Sequence, residues 1–191
     1  MKAQAGRANI IRTATRLFRR RGYEGVGLNE IVEVSGSPKG SLYHYFPQGK
    51  AQIGAAAVAS GGAAATAMLQ RLLETKPPAA ALEEYAAMLA KGMEQSGFRD
   101  GCPVATIVLE TAPQTPEIAE AGKAVFDDWR AAFRQALRRV GVEEGRAASL
   151  AVLAVSALEG ALILARVDRD GRVIERTAAE VARTFHAASF R

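Results

Sequence analysis

Residues 28–50 read LNEIVEVSGSPKGSLYHYFPQGK, and the fold turns on this stretch. Leu28, Ile31 and Val32 form an apolar stripe at helical spacing. Ser35-Gly36-Ser37 interrupts it with turn residues. A second helix then starts at Pro38: the Ser37 hydroxyl is suited to cap it, and proline suits a first helical position that needs no N–H partner. Leu42 and Phe46, four residues apart, face back to the first helix and belong to the core. Lys39, Gly40, Ser41, Tyr43 and His44 remain on the outward face. Two short helices joined by a tight turn, with an outer face that is small, polar, aromatic and basic, suit a DNA major groove.

The charge distribution points the same way. Residues 1–50 hold nine Lys/Arg against three Glu, whereas the remainder holds sixteen basic residues against seventeen acidic ones. The net charge of +5 therefore originates in the segment with the paired helices, as a polyanionic partner requires. Arg19-Arg20-Arg21 also suits the solvated last turn of a helix, where cations interact favourably with the dipole.

Upstream, Ile10, Ile11, Ala14, Leu17 and Phe18 predict an amphipathic helix over 7–21, ended by Gly22. Gly27 caps the next helix, with Glu30 at its third position. Lys50 opens a helix over 50–75, whose Gly61-Gly62 pair serves either close packing or a bend. Further helices are expected over 80–95, 103–111, 116–141, 143–167 and 173–188, separated by glycine and proline turns. The span 147–165 is apolar enough to suggest a membrane helix by length. Its alanine content, Glu159 and the lack of a second span or aromatic belt favour a buried helix at a subunit interface, with no membrane partner. No strand is expected. The chain has 191 residues, 49% of them hydrophobic, enough to bury a real core. One cysteine excludes an internal disulfide and suits a reducing cytoplasm, and the polar, basic start is not a secretory signal.

With Ile31, Val32, Gly36, Gly40, Ser41, Leu42-Tyr43, Phe46 and Lys50 in place, this first quarter of the chain resembles the helix-turn-helix of TetR-family repressors. SPKGSLYHYFPQGK is most similar to the LmrA/YxaF-like branch. Two departures stand out: Gly27 and Tyr45 occupy positions where many relatives carry Thr and His, and Gln48-Gly49 lengthens the loop before Lys50 by one residue. Gly27 can cap but has no hydroxyl for a phosphate. The resemblance implies an all-α protein with a helix-turn-helix DNA-binding domain over 1–50 and an effector-binding and dimerisation domain over 51–191. Lys39, Ser41 and His44 are the candidates for reading bases, and Pro38 and Gly40 permit close approach. Tyr43 and Lys50 are the candidate phosphate anchors, as their counterparts are in similar repressors. The expected DNA is a near-palindromic operator read by a cytoplasmic homodimer.

The same resemblance implies a small-molecule effector. Met88, Met93, Phe98, Cys102, Thr106, Glu110, Phe126, Trp129 and Phe133 are candidates for a mostly apolar pocket with a few polar groups, although each also suits ordinary core packing. Flexible methionines and flat rings favour a hydrophobic or aromatic effector. LmrA/YxaF-like proteins are associated with planar aromatic compounds and drug-resistance control. Enzymatic readings have little to stand on. His44 and His186 are the two histidines, Cys102 has no partner suggesting a Cys-His nucleophile, and no CxxC, HExxH or glycine-rich phosphate loop occurs. No catalytic residue, metal or cofactor is expected. Two other classes stay open: a DNA-binding protein without a ligand, and a small helical enzyme that retains the motif.

Overall fold

The computed structural model describes residues 2–189, with side chains from residue 5 onward. Among these residues the regular elements are α1 (Lys2–Arg21), α2 (Leu28–Ser35), α3 (Lys39–Tyr45), α4 (Lys50–Thr75), α5 (Pro78–Gln95), α6 (Ala105–Thr111), α7 (Pro116–Arg139), α8 (Glu144–Asp168) and α9 (Arg172–Ser189). The protein is all-α, as its alanine-, leucine- and arginine-rich composition favours. Packing separates two compact units, Met1–Ala64 with Cys102–Val125 and Ala65–Gly101 with Phe126–Arg191. Helices α4 and α7 each contribute residues to both.

In the first unit, α1 buries Ile10, Ala14 and Phe18 completely and leaves Arg12, Arg16 and Arg20 exposed. It begins earlier than residue 7, because lysine, alanine and glutamine at its start are good helix formers. Gly22 closes it at φ +78°, its N–H donating to the Phe18 carbonyl at 2.9 Å. Gly27 caps α2 with extended backbone, its carbonyl accepting from Ile31 N–H at 3.2 Å. Glu30, at the third position of α2, pairs with Arg21. Gly36 ends α2 in the left-handed region at φ +62°.

The start of α3 also differs from expectation. Pro38, not Ser37, is the cap residue, in extended backbone, and its carbonyl accepts from Ser41 N–H at 2.9 Å. Ser37 lies one residue before the cap, and its N–H donates to the Ser35 hydroxyl at 3.3 Å.

Glycines on α4 explain themselves by contact. A Cβ at Gly54 would lie 2.7 Å from Ile118 Cδ1 and 2.8 Å from Tyr23 Cε2. At Gly61 it would lie 2.8 Å from Pro103 Cβ, and at Gly62 2.2 Å from Val125 Cγ2. Close packing thus accounts for Gly61-Gly62. Helix α6 begins only at Ala105, because Cys102–Val104 form a turn that receives Thr106 N–H at the Cys102 carbonyl.

In the second unit, α5 and α8 pack on α9. Phe133 and Phe185 meet edge-on at 6.1 Å between centroids. Trp129 is buried, its Nε1–H donating to Thr66 Oγ1 at 2.9 Å and its ring meeting Phe126 edge-on. Helix α7 stops at Arg139, short of the expected 141, because Gly141 turns left-handed and donates to the Arg138 carbonyl. Glu143 caps α8: its carboxylate accepts from Gly145 and Arg146 N–H at 2.9 Å each, and these bonds hold its pKa below the usual glutamate range. Helix α8 buries a row running from Ala147 through Leu158 to Ala165. Its other side leaves Val152, Leu153, Ile163, Leu164 and Val167 exposed, from 43% to 76%. By length and composition α4 and α8 are both apolar enough to cross a membrane, so the expected lack of a second apolar span does not hold.

Candidate nucleic-acid interface

Helices α1, α2 and α3 pack on one another around Phe18, Ile31, Leu42 and Phe46, all fully buried. A seven-residue helix such as α3 is too short to be stable on propensity alone. Two of its neighbours hold it from behind. Asn9 Nδ2 donates to the Ser35 carbonyl at 2.7 Å, tying α1 to the end of α2. Arg7 lies over the Phe46 ring at 5.2 Å. With Leu42 and Phe46 inward, the outward face of α3 follows from helical geometry. Pro38, Lys39, Gly40, Tyr43 and His44 are exposed, and Ser41 is half-buried. The sequence-predicted residues of this group therefore share one accessible surface. Gly40 has no neighbour within 4 Å of where a Cβ would stand, and neither has Gly27, so nothing in the chain itself requires glycine at either position.

Lys50, the first residue of α4, is more enclosed. Its Nζ lies 4.2 Å over the Tyr23 ring and 3.6 Å from Glu24 Oε2. Burial, then the Glu24 and Glu117 carboxylates, push the Tyr23 hydroxyl above its ordinary pKa, so it stays a neutral phenol beneath the ammonium. Glu24 follows the Gly22 turn, and its backbone N–H donates to Glu110 Oε2 on α6 at 2.8 Å. Sequence reading missed Arg7, Asn9 and Glu24. The basic run at the end of α1 is visible in the sequence, but the Asn9 and Glu110 bonds span 26 and 86 residues and leave no periodic trace.

The nine candidate effector residues fall in both units. In the first, Cys102 is buried with Ala105 N–H at 3.4 Å from its sulfur, Thr106 donates to the Cys102 carbonyl at 2.7 Å, and Glu110 holds Glu24. In the second, Met93, Trp129 and Phe133 are buried, Met88 is 41% exposed, and Phe126 lies against Trp129. Phe98 has φ +61° and sits 5.9 Å beneath the Arg169 guanidinium. An apolar hollow between Pro77, Val140, Phe185 and His186 measures about 140 Å³, below the roughly 300 Å³ at which small-molecule sites begin.

A three-helix packet that buries one side of a short second-motif helix and presents its basic, small-residue side defines a helix-turn-helix DNA-binding regulator. Comparison with known proteins supplies the family. Residues 10–57 match the model of bacterial regulatory proteins of the tetR family, and residues 78–180 match that of the transcriptional regulator LmrA/YxaF-like C-terminal domain. The uncharacterized HTH-type transcriptional regulator YxaF of Bacillus subtilis is 34% identical over 165 residues, covering 86% of each chain. The HTH-type transcriptional regulator LmrA of the same organism is 31% identical over 159 residues, covering 83% of this chain and 85% of its own. The crystal structure of a regulatory protein TetR from Rhodobacter sphaeroides superposes with a TM-score of 0.81 at 25% identity, covering 92% of this chain and 96% of that one. The chain belongs to the TetR family of transcriptional regulators, with a C-terminal domain of the LmrA/YxaF-like type. These families and relatives are regulators, not enzymes.

Proposed function

We propose that the protein is a cytoplasmic repressor that binds a near-palindromic operator as a homodimer and is released by a small hydrophobic or aromatic effector. The observation that carries the DNA half is the exposed face of α3, with Lys39, Gly40, Tyr43 and His44 outward over the fully buried Leu42 and Phe46. In this reading Lys39, Ser41 and His44 read bases, Pro38 and Gly40 allow close approach, Gly27 lets the start of α2 near the backbone, and Tyr43 and Lys50 anchor phosphates. Lysine suits guanine O6 and N7, and serine pairs with several bases. Residues 1–50 form the DNA-binding domain and 51–191 the effector and dimer domain.

The uncovered apolar side of α8 supports the dimer. Val152 and Leu153 lie eleven residues, about three turns, before Ile163 and Leu164, so with Val167 they share one face of α8, and all are exposed in the single chain. A second copy covering them, with α9 alongside, gives a two-fold arrangement that presents two α3 helices to successive major grooves. The effector pocket draws on the candidates of the second unit, Met88, Met93, Phe98, Phe126, Trp129 and Phe133. Helix α4 transmits its occupancy, since Gly61 and Gly62 seat it directly on Pro103 and Val125.

A fluorescence-anisotropy titration against the DNA flanking the protein's own gene, with unrelated competitor and varied salt, tests the reading. Tight, competitor-resistant binding is expected. Binding that is weak and vanishes at moderate salt on every fragment, including those from genome-wide selection, would overturn it.

A further inference from the structure

We propose that Glu110 is a positioning residue for DNA binding: from α6 it holds the link between α1 and α2, and through that link it sets the surroundings of Lys50. The inference rests on the reading of Lys50 as a phosphate anchor and extends it to a carboxylate far away in sequence.

The contacts form an unbroken series inside one packing unit. Glu110 Oε2 accepts the Glu24 backbone N–H at 2.8 Å. Glu110 Oε1 occupies the place of a missing side chain, since a Cβ on Gly22 would fall 2.1 Å from it. Only glycine suits that position twice over, because φ there is +78°. The carboxylate is therefore seated in a notch at the end of α1 and fixes the residues that follow. Those residues are what Lys50 meets: the Tyr23 ring at 4.2 Å and the Glu24 carboxylate at 3.6 Å. Behind the ring, Tyr23 Cε2 is wedged at Gly54 of α4, so the link cannot shift without disturbing the start of α4.

Two opposing effects on Lys50 follow. The held link orients the ammonium, which favours phosphate binding. The Glu24 carboxylate is a competing anion, and its side chain is 74% exposed, so a phosphate can displace it. A motion of α6 that withdraws Glu110 frees Glu24 and Tyr23 together and leaves Lys50 unoriented. Glu110 is thus a lever on operator affinity, distinct from a pocket-lining group.

The test is anisotropy with the full-length protein on two probes: a duplex selected by the parent protein from a random-sequence pool, and the unselected pool. Glu110→Ala should weaken binding about 5- to 10-fold, the size of a contact-mediated coupling. Glu110→Asp, which keeps the charge and shortens the reach, should do the same. Glu110→Gln retains a carbonyl acceptor for one N–H and should stay within about 2-fold of the parent. Glu24→Gln should tighten binding to both probes by about 2- to 3-fold. In a Lys50→Ala background each of these effects should disappear, which loss of fold could not produce. Thermal melts accompany each variant, and Glu110→Asp and Glu24→Gln decide the matter if Glu110→Ala does not fold. Losses that multiply with Lys50→Ala, or a Glu110→Asp that binds as the parent does, would overturn the proposal. A parent that enriches no duplex from the pool overturns the reading of α3 instead, while the Lys50 coupling is still read on the unselected pool.

Discussion

Gly40 is the residue at which stability and the proposed DNA binding part company. A methyl group there meets nothing of the protein within 4 Å, and alanine is the better helix former by about 1 kcal/mol. Gly40→Ala is therefore expected to raise Tm by about 2–4 °C while weakening operator binding, because the added methyl stands between α3 and the groove floor. Melting curves and anisotropy on the same sample check both signs, and a variant that binds as the parent does would remove Gly40 from the contact surface. The roles around it were legible in the sequence for a local reason. Gly36, Leu42 and Phe46 act on neighbours within one or two turns, and helical periodicity exposes such relations. The sequence offers Glu110 only as a pocket candidate, because its partner, the Glu24 amide, lies 86 residues away. Nothing in composition or spacing announces that bond.

At the scale of helices, two glycines of similar appearance carry opposite signs. Gly62 on α4 faces Val125, whose Cγ2 would lie 2.2 Å from an added Cβ. Gly62→Ala is expected to destabilise the protein by about 1–3 kcal/mol through overpacking, against the gain in helix propensity. Gly92 on α5 has open space beside it, so Gly92→Ala should stabilise by up to about 1 kcal/mol. Urea denaturation of the two variants should bracket the parent. The cap of α8 gives a pH-dependent counterpart. Bonds from Gly145 and Arg146 N–H lower the Glu143 pKa, so its contribution is present above the ordinary glutamate range and is lost as pH falls through the lowered value. Glu143→Ala should lower Tm by about 2–4 °C near neutrality, and the gap should narrow as the melts are taken to acid pH. Asp170, held at about 2 by Arg172, should keep its pair into strongly acid solution. Helix positions were read within a few residues from sequence. The ends moved where a single backbone bond decided them, as Gly141 did for α7 and Pro38 for α3.

For the whole chain, grouping was the least legible property. The unit that holds α1, α2 and α3 also takes in Cys102–Val125, because Pro103, Ile118 and Val125 fill spaces left by glycines on α4. Sequence shows each glycine but not its filler. The proposed assembly yields a direct expectation. Leu164 is 54% exposed on α8, so Leu164→Glu should leave the fold intact and shift light-scattering mass from twice 20.2 kDa toward 20.2 kDa at micromolar concentration. Operator affinity should fall with it, as two linked readers become one. A parent that is already monomeric under these conditions would sink the dimer.

Trp129 is the chain's one tryptophan, and its indole is buried with its N–H tied to Thr66. Selectively excited fluorescence of this protein consequently has a single emitter, and α1, α2 and α3 are dark at that wavelength. The emission band is a built-in, label-free gauge of the second unit alone. Paired with a dye on the DNA, it lets the proposed effector capture and operator release be timed separately in one mixing experiment, so that their order is observed and not assumed.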